Sequence, residues 1–408
     1  MAALLLSCNF VQAGVDMQAH VASDEGKQAY TDYQNRQTIY YTGIYAPDAL
    51  FALQGNELFG VLNTLMGNTC RLEQGGYSYN TLRSAYVGVD RDLNNSGYII
   101  GYYDGSSMEG TWDSGKTWNR EHTWPQSKGA NKGISMGHDM QSVRPTSTKV
   151  NSSRGNAAYG ENGTYYDPND VEINNIDYKS VNMGSYRGDA ARVILYDYIV
   201  YGAAGGHQNS LYNGNAQLLS KLGTSGVFQS LEVLLKWHMQ DPPSVTEMVR
   251  NDGAEDYQGN RNPFIDYPEL AIQMFYGNSD VTTYNVDYQT TMDVSPKYKY
   301  ATKGGFVTYL TLSDGTHPAA VKVAGATAKY DAQLGRLVVS NVTGNITISA
   351  TSTADNQMVA SEQAIRIYSF TGVSVGQCLP NRINATLAAL HPGIYILCQG
   401  KDSWKVVR

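Results

Sequence analysis

Charge is scarce in this chain: Asp, Glu, Lys and Arg make up 16% of 408 residues, while 42% are hydrophobic. That balance excludes global disorder and leaves enough apolar material for a sizeable core. No apolar run reaches the roughly 18 residues of a transmembrane helix, so an ordinary membrane span is excluded. Cysteine is equally sparse. There are four, at Cys8, Cys70, Cys378 and Cys398, and no CxxC pair, which argues against a thiolate zinc site. Cys378 and Cys398 are close enough to pair in an oxidising compartment, leaving Cys70 as a packed thiol. Phenylalanine is rare at 8 residues, but tyrosine reaches 31 and glycine 41. Low charge with abundant Tyr, Gly, Asn and Ser points to a secreted chain rich in loops and strands. The net charge of −7 excludes a passive polycationic coat for nucleic acid but permits an enzyme with a local basic cleft.

The start also lacks something. Residues 2–11 are mostly apolar and Val11-Gln12-Ala13 has the small-residue form of a cleavage site, yet no basic residue precedes them. A secretory signal is expected at 1–13. Leu5-Leu6-Ser7-Cys8 loosely follows a lipoprotein box. The expected fold class is α+β. A catalytic domain at 14–290 carries helices around Leu50, Leu53, Leu58 and Leu62, a buried helix over 186–201, and two helices at 231–238 and 245–250. Pro242 and Pro243 separate the last two, and Ser244 is placed to cap the second. Strands are expected in the Gly-, Asn- and Ser-rich stretch 87–170. From 291 to 352, short β-branched runs at 306–310, 321–323, 336–339 and 346–348 read as a β-rich linker domain, and 353–408 as a second small all-β unit.

Reactive residues concentrate between 116 and 156. Lys116, Arg120, Lys128, Lys132, Arg144, Lys149 and Arg154 outnumber the acids from 116 to 154, Glu121 and Asp139. A basic segment in an acidic chain suits an anionic substrate such as a phosphodiester. Glu121 and His122 are adjacent, so on a strand their side chains leave on opposite faces. A carboxylate suits a hard cation, an imidazole suits a general base near neutral pH, and Asn151 offers a neutral oxygen ligand. Together they are the minimum set for metal-assisted hydrolysis. His122 would activate water, and a cation held by Glu121 and Asn151 would stabilise the developing charge.

At three blocks the chain resembles the endonuclease I family of secreted bacterial nucleases, which carry a His-Me finger (ββα-metal) active site. The blocks are WNREHTWPQS at 118–127, the stretch from Asp139 through Arg144-Pro145 to Asn156, and WHMQDP at 237–242 with RND at 250–252 and QGNRNPFID at 258–266. The resemblance spans about residues 40–275. It implies that His122 is the general base and that Glu121 and Asn151 hold one Mg²⁺, Ca²⁺ or Mn²⁺. Arg154 and Asn156 match an RSN-like element in which Gly155 replaces Ser. With Arg120 and Arg144 they are expected to bind substrate, with Lys128 as a further candidate; Arg261, Asn260 and Asn262 are expected mostly to pin loops behind the cleft, with substrate contact by Arg261 as the alternative. Where some members place a leaving-group acid, this chain has Gly137, so a water on the cation or Asp139 is expected to take that role. No Arg matches the family's phosphate clamp, and Lys128, Lys132 or Arg144 could substitute. Trp118 and Trp124 are expected to pack in the core.

The last 50 or so residues resemble a Bacteroidetes-type C-terminal sorting domain for type IX secretion. The match lies in IRIYSFTGVSV at 365–375, PGIYIL at 392–397 and WKVVR at 404–408. It implies the type IX machinery as partner and a secreted or surface-attached product. The expected function is therefore a metal-dependent endonuclease cutting DNA, with RNA as a further substrate, without sequence preference and leaving 5′-phosphate ends. The alternative is a non-catalytic surface adhesion module binding carbohydrate or peptide.

Overall fold

The computed structural model describes residues 24–168, 186–214, 226–290, 292–312 and 315–351, and between 365 and 407 four strands with a few residues beside them. The expected signal at 1–13 and the isolated His20 and His391 lie outside the described residues. The architecture is α+β: helices, then short strands, then helices again occupy the chain as far as Met274, and small all-β sheets follow.

The helix Arg187–Tyr201 is the centre of the first part. It has no distinct polar face, the pattern of a helix covered on every side, and all its residues except Arg187 and Tyr198 are buried. The helices Gly55–Thr69 and Leu231–Gln240 pack against it and share its core. Pro242 and Pro243 lie beyond the end of Leu231–Gln240. Ser244 then starts Val245–Gln258 with a capping box: its hydroxyl accepts from the Glu247 N–H, and the Glu247 carboxylate accepts from the Ser244 N–H. This helix runs well past the expected end at 250. It stops at Gly259 (φ 90°), where a Cβ would lie 2.3 Å from the Thr69 carbonyl oxygen.

Among the described residues, four strands belong to this part. β1 (Tyr98–Ile100) pairs with β2 (Ser107–Glu109), and β3 (Trp118–His122) pairs antiparallel with β4 (Val143–Ser147), Trp118 opposite Ser147 and His122 opposite Val143. The chain leaves β4 directly into the helix Thr148–Arg154. Ser147 caps it by accepting from the Val150 N–H. Strand, strand and helix thus follow one another and bring the end of β3 beside the helix.

β5 (Tyr284–Gln289) precedes the expected boundary at 290, yet it pairs in parallel with β12 (Ile346–Thr351). One sheet has the order β7–β5–β12–β9, with β7 at Tyr300–Ala301 and β9 at Ala320–Ala324. The other runs β10–β11–β8–β6, formed by Thr327–Asp331, Arg336–Ser340, Phe306–Thr311 and Asp293–Ser295. Phe306, Leu310, Leu337, Ile346 and Ile348 are buried and join the core of the helical part. A last sheet, β14–β13–β15–β16, contains Ser374–Cys378, Ile365–Ser369, Ile394–Gln399 and Asp402–Val407. Cys398 carries a free thiol, and the side chain of its expected partner Cys378 lies outside the described residues.

Buried arginines pin the helices. Arg192 bonds Glu247 and Asp189, Arg250 bonds Asp90, and Arg261 holds Asp266 through Nε and Nη2 (both 2.9 Å) and Asp252 and Glu255 through Nη1 (both 2.7 Å). Arg261 is wholly buried. Its place is therefore in the scaffold, away from any surface a substrate could reach. Arg261→Met strands several carboxylates in low dielectric, and unfolding in urea is expected to show a loss of about 3–5 kcal/mol. His238 is also fully buried. Its Nε2 donates to the Pro268 carbonyl at 2.8 Å, and burial pushes its pKa down to about 3. An unfolded imidazole titrates near 6.5, at about its ordinary value. Between that pH and 3 the unfolded chain takes up a proton that the folded chain refuses, so stability falls as pH falls through the window. Urea midpoints at pH 7 and pH 5 should diverge less in His238→Gln than in the parent.

Candidate active site

β3, the turn after it and the helix Thr148–Arg154 enclose one pocket open to solvent. Arg120, Glu121, His122, Pro125, Gln126, Asn151, Arg154, Gly155 and Asn156 line it. Three residues expected to carry the chemistry, Glu121, His122 and Asn151, therefore meet, although the first two end a strand and the third lies on the helix that follows β4.

Glu121 is 2% exposed and its two hydrogen bonds converge on a single oxygen. Oε1 accepts from the Tyr103 hydroxyl at 2.7 Å and from Arg154 Nη1 at 2.9 Å. Burial raises the pKa of this carboxyl, and Arg154 and Tyr103 oppose the rise. Tyr103 is in turn hydrogen-bonded to Tyr159, whose ring lies 4.6 Å from the Arg154 guanidinium. Arg154 also donates to the carbonyls of His122 and Thr123, both at 2.8 Å. Its guanidinium thus holds the pocket's wall together and is turned inward, although it was expected to contact substrate.

Asn151 is half-buried on the helix. Its Nδ2 donates to Asn119 Oδ1 on β3. With the amide nitrogen engaged there, the amide oxygen is left as the donor atom for a ligand. Gly155 ends the helix at φ 55°, ψ −124°, a backbone conformation that side-chain-bearing residues rarely adopt. Glycine in place of Ser at this position follows from that turn, which presents exposed Asn156 at the pocket rim.

His122 is 7% exposed. The ring stacks on Tyr79 with centroids 5.2 Å apart and planes at 29°. Nε2 lies 3.1 Å from the Gly137 carbonyl. A carbonyl only accepts, so Nε2 carries the proton and Nδ1 keeps its lone pair. Gln126 Nε2 approaches Nδ1 at 3.4 Å, a long contact that water can displace. Burial, followed by the positive field of Arg120, Arg154 and Lys132, pushes the imidazole pKa down to about 4, while the bond to Gly137 opposes the fall. His122 is therefore neutral and ready to accept a proton at ordinary pH.

The absence of an acid at 137 has a steric cause. A Cβ there would lie 1.9 Å from the Asn131 carbonyl oxygen. Asp139, the other candidate acid, lies outside the pocket lining and is fully buried. It accepts from Tyr196 and Tyr201 on Oδ2 (2.7 and 2.6 Å) and from Gln258 and the Gln141 N–H on Oδ1 (2.8 and 2.7 Å). Arg144 is also turned away, onto Asp90 and the Tyr102 ring. Lys128 is tied to the Gly226 carbonyl. Among the candidate cations, Arg120 remains at the pocket with its guanidinium 3.6 Å above the Tyr79 ring. Trp118 and Trp124 are fully buried. Sequence reasoning did not single out Tyr79, Tyr103, Asn119 or Gln126. Only Asn119 and Gln126, within the WNREHTWPQS block, carried any local signal.

The sequence model of the Endonuclease I family matches residues 59–269, which contain the pocket and the helices behind it. Two curated relatives are named extracellular ribonuclease. The Bacillus amyloliquefaciens protein is 33% identical over 216 residues, 48% of this chain and 68% of that protein. The Bacillus subtilis (strain 168) protein is 33% identical over 215 residues, with the same shares. The three β-sheets described after residue 283 lie beyond the matched region.

Gly137→Ala forces the loop 131–137 off His122 Nε2. Overpacking of this kind is expected to cost about 1–3 kcal/mol in chemical denaturation. A variant as stable as the parent would show that this loop yields without strain.

Proposed function

This chain belongs to the endonuclease I family, and from that premise we propose that it is a secreted, metal-dependent endonuclease with a His-Me finger site built by β3, β4 and the helix Thr148–Arg154. The convergence of Glu121, His122 and Asn151 on one open pocket is the observation that carries this reading. Phosphodiesters of DNA and RNA are the substrates, without sequence preference, because contacts to phosphate carry no sequence information.

The donor set fits one hard divalent cation. Glu121 accepts both of its hydrogen bonds on Oε1, and Asn151 has its amide nitrogen occupied by Asn119. Each residue therefore has an oxygen to offer within the same pocket. Among the described residues no group of three or more His, Cys, Asp or Glu could hold a metal. Two protein oxygens completed by waters suit Mg²⁺, with Mn²⁺ or Ca²⁺ as substitutes. When bound, the cation would supply Lewis-acid stabilisation of the charge that builds on the phosphate and leaving oxygen.

The chain's own residues do the rest. His122 Nδ1 accepts the proton of the attacking water, and the Gly137 carbonyl holds the ring in the tautomer that makes this possible. Arg154 and Tyr103 fix the Glu121 carboxylate. Arg120 and Asn156 meet the substrate at the rim. Water is the nucleophile, so a 2′-hydroxyl is not needed and a deoxyribose strand serves as well. Departure of the 3′ oxygen leaves a 5′-phosphate. With position 137 closed to any side chain and Asp139 buried elsewhere, the leaving oxygen takes its proton from solvent in the pocket. The relatives' extracellular names support secretion, and the four-stranded C-terminal sheet is proposed to be the address read by the type IX machinery.

His122→Ala is expected to fold and bind nucleic acid but to cleave plasmid DNA and total RNA about 10³-fold more slowly. Glu121→Ala and Asn151→Ala should lose activity in a way that excess Mg²⁺ partly restores. Near-normal cleavage by the His122 variant would remove the catalytic assignment.

A further inference from the structure

Beside the pocket, four side chains from three separate stretches of sequence form an unbroken strip. Arg83 begins it, on the helix Leu82–Val89. Its guanidinium carbon lies 5.3 Å from the ring centre of Trp112. The Arg120 guanidinium lies 5.0 Å from the same ring and 3.6 Å from that of Tyr79. Tyr79 then stacks on His122. Arg83, Trp112, Arg120 and Tyr79 are all half-buried, so each keeps part of its surface in water.

Two features of this strip are not accounted for by packing. Trp118, the neighbour of Trp112 at 4.8 Å, is wholly buried with its indole N–H on the Glu109 carbonyl, whereas Trp112 remains half-buried beside two cations. Arg120 also has no carboxylate partner among the described residues. Nη1 donates to the Tyr79 carbonyl, and Nε is buried without a hydrogen-bond partner among them. Arg144, Arg154 and Arg250, by contrast, are each paired with a carboxylate. Alternating guanidinium and aromatic planes are what unpaired bases and the phosphates between them require. Bases stack on rings and on guanidinium planes, and free guanidinium edges meet phosphate oxygens. A base inside a duplex has both faces covered and gains nothing from such a strip.

We propose that Arg83, Trp112, Arg120 and Tyr79 form a stacking subsite for a single-stranded segment of nucleic acid that leads into the pocket. The subsite makes the enzyme favour unpaired strands over duplex. The proposal rests on the nuclease reading of the pocket and names its preferred substrate form.

Binding separates the two. The full-length His122→Ala protein in EDTA is titrated into a fluorescent single-stranded 12-mer and the matching duplex. Adding Trp112→Ala should weaken binding of the single strand about tenfold, while duplex affinity changes less than about threefold and Trp112→Phe keeps most of the single-strand affinity. Equal losses on both forms, or no loss on the single strand, overturn the subsite. Should Trp112→Ala not fold, photocrosslinking of a 5-bromouracil 12-mer to the His122→Ala protein gives the answer. Crosslinks in peptides containing Tyr79 or Trp112 support the subsite, and crosslinks confined elsewhere overturn it. A parent enzyme that cuts no nucleic acid defeats the nuclease reading instead, whereas a parent that cuts duplex and single strand at equal rates defeats only the subsite.

Discussion

The buried pair between Arg154 and Glu121 is the contact on which the site's geometry depends. Both side chains are within 2% of full burial and their charged atoms are 2.9 Å apart. A buried ion pair seldom adds much net stability, because desolvation offsets its Coulomb attraction. What it confers here is position. Arg154 closes the helix that carries Asn151, and its guanidinium reaches the Glu121 carboxylate and the carbonyls of His122 and Thr123. One side chain therefore sets the distance between strand and helix and, with it, the separation of the two oxygens proposed to share a cation. The Tyr103 hydroxyl donates to the same Glu121 oxygen. The carboxylate is clamped on one edge and presented on the other.

Local grammar made much of this readable from sequence. The Pro-Pro-Ser signal marked the boundary between two helices, and the lack of a polar face marked Arg187–Tyr201 as buried. The WNREH block sits on a strand, and the residues named for it reach the pocket. Distance along the chain hid the rest. Tyr103 supports a carboxylate 18 positions away, Asn119 bonds an amide 32 positions away, and Tyr79 belongs to a loop before the helix Leu82–Val89. No periodicity encodes such meetings. Burial was hidden for the same reason. Arg144 and Arg154 read as cations for a phosphate, but each faces a carboxylate inside the protein. Likewise β5 joined the sandwich because its partner, β12, lies some 60 residues on.

Charge counting illustrates how far composition reaches. Seven basic residues crowd the stretch from 116 to 154, but Arg144 and Arg154 are internally neutralised and Lys128 is bound to a carbonyl. Lys116, Lys132 and Lys149 are exposed and Arg120 stands at the pocket. The field offered to a polyanion is therefore weaker than the local count implies, in a molecule of net charge −7. Long-range attraction therefore acts through the cations that keep their charge, Lys128 among them. Contact terms that survive screening, such as stacking and cation–π pairing, add to it at short range.

That division of labour follows from the fold. Arg192, Arg250 and Arg261 pin helices through carboxylates, and that pairing removes them from use at the surface. Two that have none among the described residues lie where aromatic faces replace carboxylates as partners: Arg120 over Tyr79, and Arg83 over Trp112. A ring holds a guanidinium in place without cancelling its charge. The same residue type thus serves opposite ends in one domain, since the partner decides whether an arginine builds the interior or faces a ligand.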